Sequence, residues 1–391
     1  MISVEEALEA LFREAPLLPE ETLGFPQANL RFSAAAVYAP YEHPLFDQSA
    51  VDGYAFAWDG TVSKWELVGQ VPAGKAFSAA LSKGQCVRIF TGGMMPQGAD
   101  TVVMQEYSQR EGNQMQHSDV KLRRASNVRS RGEQIGAGAI VLEKGERISP
   151  EAVGLLRSVG VDTVAVRKSP RITVVITGSE FAATAASDPG HIFSSNGEML
   201  VAALQQQGLA CTLVYAPDED EAMERSLRNA LETSDLVVTT GGVSVGDHDL
   251  VAPTLEHIGA RTIFHKVAQK PGKPMLLSRL ENTLVVGLPG NPRAVMVLFW
   301  MYVLPAIRAM QGARMPMLRN ELLPLSHPVR LKDGRGEFRA ARITNGQVSL
   351  LQDQGSHMLA SLIGANALAY LPQGHGNFAI GQAIQVYHLP T

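Results

Sequence analysis

Cysteine is nearly absent from this chain of 391 residues: there are two, Cys86 and Cys211. Each sits in a strand-like run, so no disulfide framework is expected. They read as reduced core thiols of a cytoplasmic protein. An excess of either charge is also lacking. Lys and Arg number 34 against 38 Asp and Glu, a net charge of −4, which argues against sequence-independent binding to nucleic acid or an anionic membrane. The longest uncharged apolar stretch, 294–307, is 14 residues. That is too short to span a bilayer and predicts a buried helix. Met1-Ile2-Ser3-Val4-Glu5-Glu6 has neither a basic region nor an apolar core, so no signal peptide is expected. Low-complexity tracts and internal repeats are missing too. What remains, 45% hydrophobic and 18% charged, is an ordinary soluble composition. The length predicts two to four domains.

Ser3 and Glu6 make a capping box ahead of a helix over 4–14, with Val4, Ala7, Leu8, Leu11 and Phe12 on one face. A further short helix is expected within 17–35. From 40 to 137 short strands alternate with Gly and Pro turns, as at 65–69, 85–90 and 100–104, and another strand is expected at 120–124. Ser149-Pro150 starts a second helix that Gly160 ends. The economical division places a helical unit at 1–37 and 138–168, with a β-rich unit inserted at 38–137. Over 169–314 strands at 171–177, 211–216, 235–240, 262–268 and 283–287 alternate with helices near 196–207, 219–233, 248–258 and 292–311. That order predicts a doubly wound, mostly parallel α/β domain. Short strands return over 315–391 and predict a small β-barrel or sandwich.

Chemistry concentrates in Thr239-Thr240-Gly241-Gly242-Val243-Ser244-Val245-Gly246-Asp247-His248-Asp249, between a β-branched strand and an apolar helix. Gly241, Gly242 and Gly246 leave backbone N–H groups uncovered, an arrangement that attracts an oxyanion near a helix start. Alone, the turn fits a βα connection that binds nothing equally well. Downstream, Lys266, Lys270 and Lys273 crowd a stretch held extended by Pro271 and Pro274. Gly287-Leu288-Pro289-Gly290-Asn291-Pro292 then forms another strand-to-helix turn. Turns at neighbouring strand ends converge on one crevice of an open α/β sheet. The result is a basic, N–H-rich pocket with an acidic rim, suited to a phosphorylated or oxyanionic ligand.

These three motifs resemble the molybdenum-insertion enzymes of molybdenum cofactor synthesis, the family of bacterial MoeA and the gephyrin E domain. The resemblance runs nearly the whole chain. Phe46-Asp47-Gln48-Ser49-Ala50-Val51-Asp52-Gly53-Tyr54-Ala55 matches a family signature with Val51 in place of Met. Asp52 is there either a local cap or a carboxylate presented to a pocket, and the length of the match favours the pocket. Arg88-Ile89-Phe90-Thr91-Gly92 matches another, in which Thr91 would hold the same pocket through its hydroxyl. Arg129 and Arg131 are either a solvated basic loop or guanidinium forks for oxyanions. Arg339 and Ser356 fall in C-terminal motifs that would orient molybdate. The acidic positions fray: Gln134, Ser179 and Ser194 stand where the family carries acids, although Glu180 is kept. Ser195 or Asn196 is expected to cap the helix that follows. Arg293 stands where a small residue is usual. Asp218, Asp247 and Asp249 survive as carboxylates. His248, between two acids, lacks the clustered ligands of a zinc site.

The resemblance implies a multidomain α/β and β fold with a MogA-like central domain. It implies transfer of molybdate onto adenylylated molybdopterin with release of AMP. Gly241, Gly242, Ser244, Gly246, Pro289, Gly290, Asn291 and Pro292 would cradle pterin and phosphates. Lys266, Lys270 and Lys273 would offset charge. Asp52, Glu180, Asp218 and Asp249 would position a cation, Mg2+ held by Glu180, Asp218 and Asp249. It also implies a homodimer, with an adenylyltransferase as a possible partner. The alternatives are a paralogue that binds molybdopterin without turnover, an adenylyltransferase-like enzyme, and a scaffold.

Overall fold

The computed structural model describes residues 1–179, 192–243, 250–331, 334–352, 354–374 and 376–390. Helix α1 (Val4–Glu14) carries the expected capping box: Ser3 Oγ accepts from Glu6 N, and Glu6 Oε2 accepts from Ser3 N at 2.7 Å. The next segment differs from expectation. Glu20–Gly24 is a strand, paired antiparallel with Thr163–Arg167. Leu23, on this strand, packs on a small core with Leu156, Val164 and Val166, and that cross-strand packing overrides local helix preference. Helix α2 (Pro150–Ser158) starts at Ser149, whose Oγ accepts from Ala152 N, and is followed by Gly160 at φ +85°. The segments flanking the inserted unit are therefore mixed in structure. The 120–124 strand does not form. Instead the hairpin Ser108–Glu111 with Gln114–His117 forms one edge of the six-stranded sheet of this region.

The central sheet contains β1 (Ile172–Thr177), β2 (Thr212–Ala216), β3 (Leu236–Thr240), β4 (Arg261–His265), β5 (Leu276–Leu280) and β6 (Thr283–Leu288), in spatial order β2-β1-β3-β6-β5-β4. The pairs up to β3–β6 are parallel; β5 and β4 close the sheet antiparallel. The run 262–268, expected as one strand, stops at His265, and β5 was not anticipated. Strand residues alternate faces. Val174, Ile176, Val238 and Val286 pack with α1, α3 (Asn196–Gln206), α6 (Pro292–Leu298) and α7 (Leu304–Met310). Val175, Val237 and Val285 pack with α4 (Asp220–Thr233) and α5 (Val251–Ile258). This is the period-2 alternation of a sheet covered on both sides.

A π-helical turn, Phe299–Val303, joins α6 to α7 into one helical run. Pro292–Met310 is thus 19 residues, close to the expected helix at 292–311 and longer than the uncharged apolar stretch inside it, and is by length and composition able to cross a membrane. Its apolar window is 83% buried inside the protein, so the core accounts for its hydrophobicity. Beyond it, strands Asn320–Pro324, Gly336–Thr344, Gln347–Leu350, Ala367–Leu371 and Ala383–His388 form one sheet. A Leu325–Val348 bridge brings the first of these against Gln347–Leu350 and closes the series into a barrel.

Candidate functional site

Strands β1, β3 and β6 end side by side, and their following turns meet. Gly241 N donates to Leu288 O at 3.0 Å, and Thr177 Oγ1 donates to Thr240 O at 3.1 Å. Gly241 has φ +87°, and a Cβ there would lie 2.6 Å from Thr177 Oγ1. Only glycine fits both the conformation and the space. A Cβ on Gly290 would lie 3.9 Å from Gly241 Cα, an ordinary contact distance, so the two glycine turns lie side by side. Gly290 and Asn291 are exposed, Pro292 half-buried and Pro289 buried. Ser244, Gly246, Asp247, His248 and Asp249 lie outside the described residues, as does Glu180.

The lysine segment is anchored to the same end. His265 Nε2 bonds Val243 O at 2.9 Å. Lys266 takes φ +78° while its N–H donates to Met275 O, and Val267 N donates to Lys273 O, making a tight loop. Gln269 fixes that loop from beneath, donating to Gly272 O at 3.0 Å and accepting from Tyr302 Oη at 2.6 Å. Lys266 and Lys270 are half-buried and Lys273 is exposed.

Gln269–Lys270 pairs parallel with Gly336–Glu337, which carries the C-terminal barrel to the crevice edge. There Glu337, 3% exposed, faces Lys270 at 3.8 Å and Arg339 at 2.6 Å. Arg339 is therefore already paired. Sequence reading passed over Glu337, though an acid one position before a strand-core Phe338 is a signal, since buried carboxylates need cations. Arg293 is 1% exposed at the start of α6. It donates from Nε to Ser361 Oγ at 3.0 Å and from Nη2 to Gln354 Oε1 at 2.6 Å. Burial, with the Arg339 charge nearby, pushes it down to about 10, so it stays charged at neutral pH. Ser356 is half-buried in the turn between Gln354 and Ser361.

On the acidic rim, Asp218 and Ser179 hold each other reciprocally. Ser179 N donates to Asp218 Oδ2 at 3.2 Å and Asp218 N donates to Ser179 Oγ at 3.1 Å. Serine at 179 thus ties the β1 and β2 ends together where a second carboxylate would repel Asp218. Ser195 occupies the N-cap position of α3 but makes no side-chain capping bond, and Asn196 is the first residue of the helix. Instead Asn196 Nδ2 donates to Gly290 O at 2.8 Å, joining α3 to the 289–292 turn.

Asp52 and Thr91 form one unit in the β-rich region, whose sheet is separate from the one carrying these turns. Thr91 donates both its N–H and its hydroxyl to Asp52 Oδ1, each at 2.8 Å. The hydroxyl expected to face a ligand is spent on Asp52, and these two bonds hold the carboxyl below its ordinary range. Arg88 Nη1 donates to Gly53 O beneath them. Arg129 is exposed on a short ladder with Gln48–Ser49, and Arg131 pairs with Glu42. Gln134 is exposed on the same loop, with its backbone N–H on His43 O. Among the described residues no three His, Cys, Asp or Glu side chains group as metal ligands.

This geometry meets its relatives in order along the chain. Residues 2–160 match the MoeA N-terminal region (domain I and II), 173–309 a probable molybdopterin binding domain, and 323–389 the MoeA C-terminal region (domain IV). The chain is 31% identical over its full length to a molybdopterin molybdenumtransferase of Nostoc sp., covering 94% of that protein. The chain belongs to the MoeA family. A Haemophilus influenzae molybdopterin molybdenumtransferase is also 31% identical, with 99% of this chain and 98% of that protein covered. The crystal structure of the molybdopterin biosynthesis MoeA protein from Pyrococcus horikoshii OT3 superposes with a TM-score of 0.82 at 25% identity, covering all of both chains. In this fold the glycine turns, the lysine loop and the barrel edge adjoin one another.

Proposed function

We propose that this protein inserts molybdenum in molybdenum cofactor synthesis, taking adenylylated molybdopterin and molybdate and releasing AMP. The observation that carries this is the apposition of the Gly241 and Gly290 turns beside the Lys266–Lys273 loop. It brings the two glycine turns and the lysine-bearing loop to one end of the sheet. Gly241, Gly242, Ser244, Gly246, Pro289, Gly290, Asn291 and Pro292 hold pterin and phosphates. Lys266, Lys270 and Lys273 offset their charge, and Arg339 and Ser356 orient molybdate beside Glu337. The chemistry is mostly positioning and electrostatics.

A bound Mg2+ would neutralise the phosphoanhydride being cleaved. Its proposed ligands are Asp218, Glu180 and Asp249, hard oxygen donors of the kind Mg2+ takes. Of these, Asp218 is fixed at the strand ends by Ser179.

The protein works as a homodimer in which the partner's Asp52, with the partner's Thr91 holding it and Arg129 nearby on the same unit, closes the crevice. Its substrate comes from an adenylyltransferase. The units proposed at 1–37 with 138–168, 38–137, 169–314 and 315–391 serve this division. The decisive test gives purified protein adenylylated molybdopterin, molybdate and magnesium. Molybdate-dependent AMP release is expected; tight binding without release would support a binding paralogue instead. Light scattering at micromolar concentration should give a dimer, and a monomer would remove the partner's role.

A further inference from the structure

A second basic cleft lies at the far end of the helix that starts in the crevice. It is lined by Phe32, Gly145, Glu146, Arg147, Arg308, Arg314 and Met315, with a volume of about 470 Å³. Sixteen residues separate Pro292 from Arg308, so it sits about 24 Å along the helix from the Gly290 turn.

Its frame is rigid. Arg314 N donates to Gly145 O at 2.9 Å, Gly145 N to Ser33 O at 2.8 Å, and Phe32 bridges Arg147. A Cβ on Gly145 would lie 2.7 Å from both Arg314 N and Gly312 O, so the two turns touch backbone to backbone. Arg308 is fixed by donating from Nη1 to Met317 O at 3.1 Å. No carboxylate pairs with these three guanidinium groups: among the described residues none of them makes an ion pair, and Glu146, which also lines the cleft, has its Oε2 accepting Glu143 N at 2.9 Å. Burial and the neighbouring Arg147 charge push Arg308 down to about 10, the mark of cations gathered without a counter-ion.

Three guanidiniums around a cleft with an aromatic wall, Arg308 held by carbonyl oxygens and Arg147 and Arg314 on its exposed rim, match a multiply charged tetrahedral oxyanion, which takes bidentate forks. We propose that Arg147, Arg308 and Arg314 form a binding site for the phosphoryl group of a small ligand, separate from the crevice. It rests on none of the reasoning about molybdenum insertion.

The test is hydrogen–deuterium exchange of the full chain with inorganic pyrophosphate, and with AMP in a second arm. Saturable protection of 144–148 and 308–316 is expected. It should be lost, with affinity at least tenfold weaker by calorimetry, in Arg147→Gln/Arg314→Gln. That variant leaves Arg308 and its carbonyl bonds intact, and an unchanged thermal midpoint shows it is folded. Protection by AMP equal to pyrophosphate marks a nucleotide phosphate as the source, and protection by pyrophosphate alone marks free phosphate; both support the site. Protection there unchanged by the double variant would overturn it. So would its absence at millimolar anion. So would protection that depends on protein dilution instead of anion, since the arginines would then meet a second copy of the chain.

Discussion

Arg293 and Gln354 join two domains through one bond: Arg293 Nη2 donates to Gln354 Oε1 at 2.6 Å, and the same oxygen accepts Ala340 N at 2.7 Å. The first turn of α6 is thereby fixed to the barrel strand that carries Glu337 and Arg339. This chain holds the barrel against the central domain by a buried cation.

Replacing Arg293 tests that lock. Arg293→Ala removes charge-assisted bonds to Gln354 and Ser361 and opens a cavity, an expected loss of about 2–4 kcal/mol in chemical denaturation. Arg293→Lys should not restore it, because a point ammonium cannot reach two partners as a planar fork does. Hydrogen exchange over 354–361 should rise in both. Stability equal to wild type in Arg293→Lys would show that charge alone suffices there.

The two facing glycines separate packing from binding. Gly241→Ala places a Cβ 2.6 Å from Thr177 Oγ1 at φ +87°, so a loss of about 1–3 kcal/mol is expected. Gly290→Ala meets only Gly241 Cα, at an ordinary contact distance of 3.9 Å, and should keep the wild-type melting temperature. Its methyl group nonetheless enters the room between the turns, so affinity for a phosphate-bearing ligand should fall about tenfold. Unchanged affinity in Gly290→Ala would place the ligand elsewhere.

The Asp52–Thr91 pair makes a prediction about pH. With its folded pKa depressed by the Thr91 bonds, ionised Asp52 favours the native form above the unfolded carboxyl value of 3.8. That contribution is lost as pH falls through the lower folded value. Thr91→Val removes the hydroxyl bond but leaves the N–H bond. A carbon-detected NMR titration should then show the Asp52 pKa moving up toward 3.8. No movement would mean that the backbone bond alone sets it.

Much of this was legible in the sequence, and the misses share a cause. Capping at Ser3 and Ser149, the glycine turns and the strand–helix alternation depend on neighbours a few positions apart. The strand Glu20–Gly24 depends on Thr163–Arg167, more than a hundred residues away. The pairing of Glu337 with Lys270 and Arg339, and the bond from Asn196 to Gly290, are likewise set by tertiary contact. Thr91 was expected to share a pocket with Asp52 through its hydroxyl, and only the fold shows that hydroxyl bonded to the carboxylate itself. Arg293 was noticed as an oddity; its burial and partners come from the barrel.

The cysteines give the last prediction. Cys86 lies fully buried on Gln85–Ile89, packed with Phe56, Trp65 and Met115, and burial pushes its thiol up to about 12. At pH 8 the thiolate fraction is then roughly 10³-fold below that of a free thiol of ordinary pKa near 8.5, and the thiolate is the reactive form. Cys211 is half-buried and raised by the same cause, but lies nearer the surface. A thiol reagent added to native protein should therefore modify Cys211 slowly and Cys86 only at the rate of unfolding, with both reacting at once in denaturant. Peptide mapping after partial labelling reads the order directly. Prompt labelling of Cys86 in the folded protein would show that the core around Phe56 and Trp65 opens far more often than its packing implies.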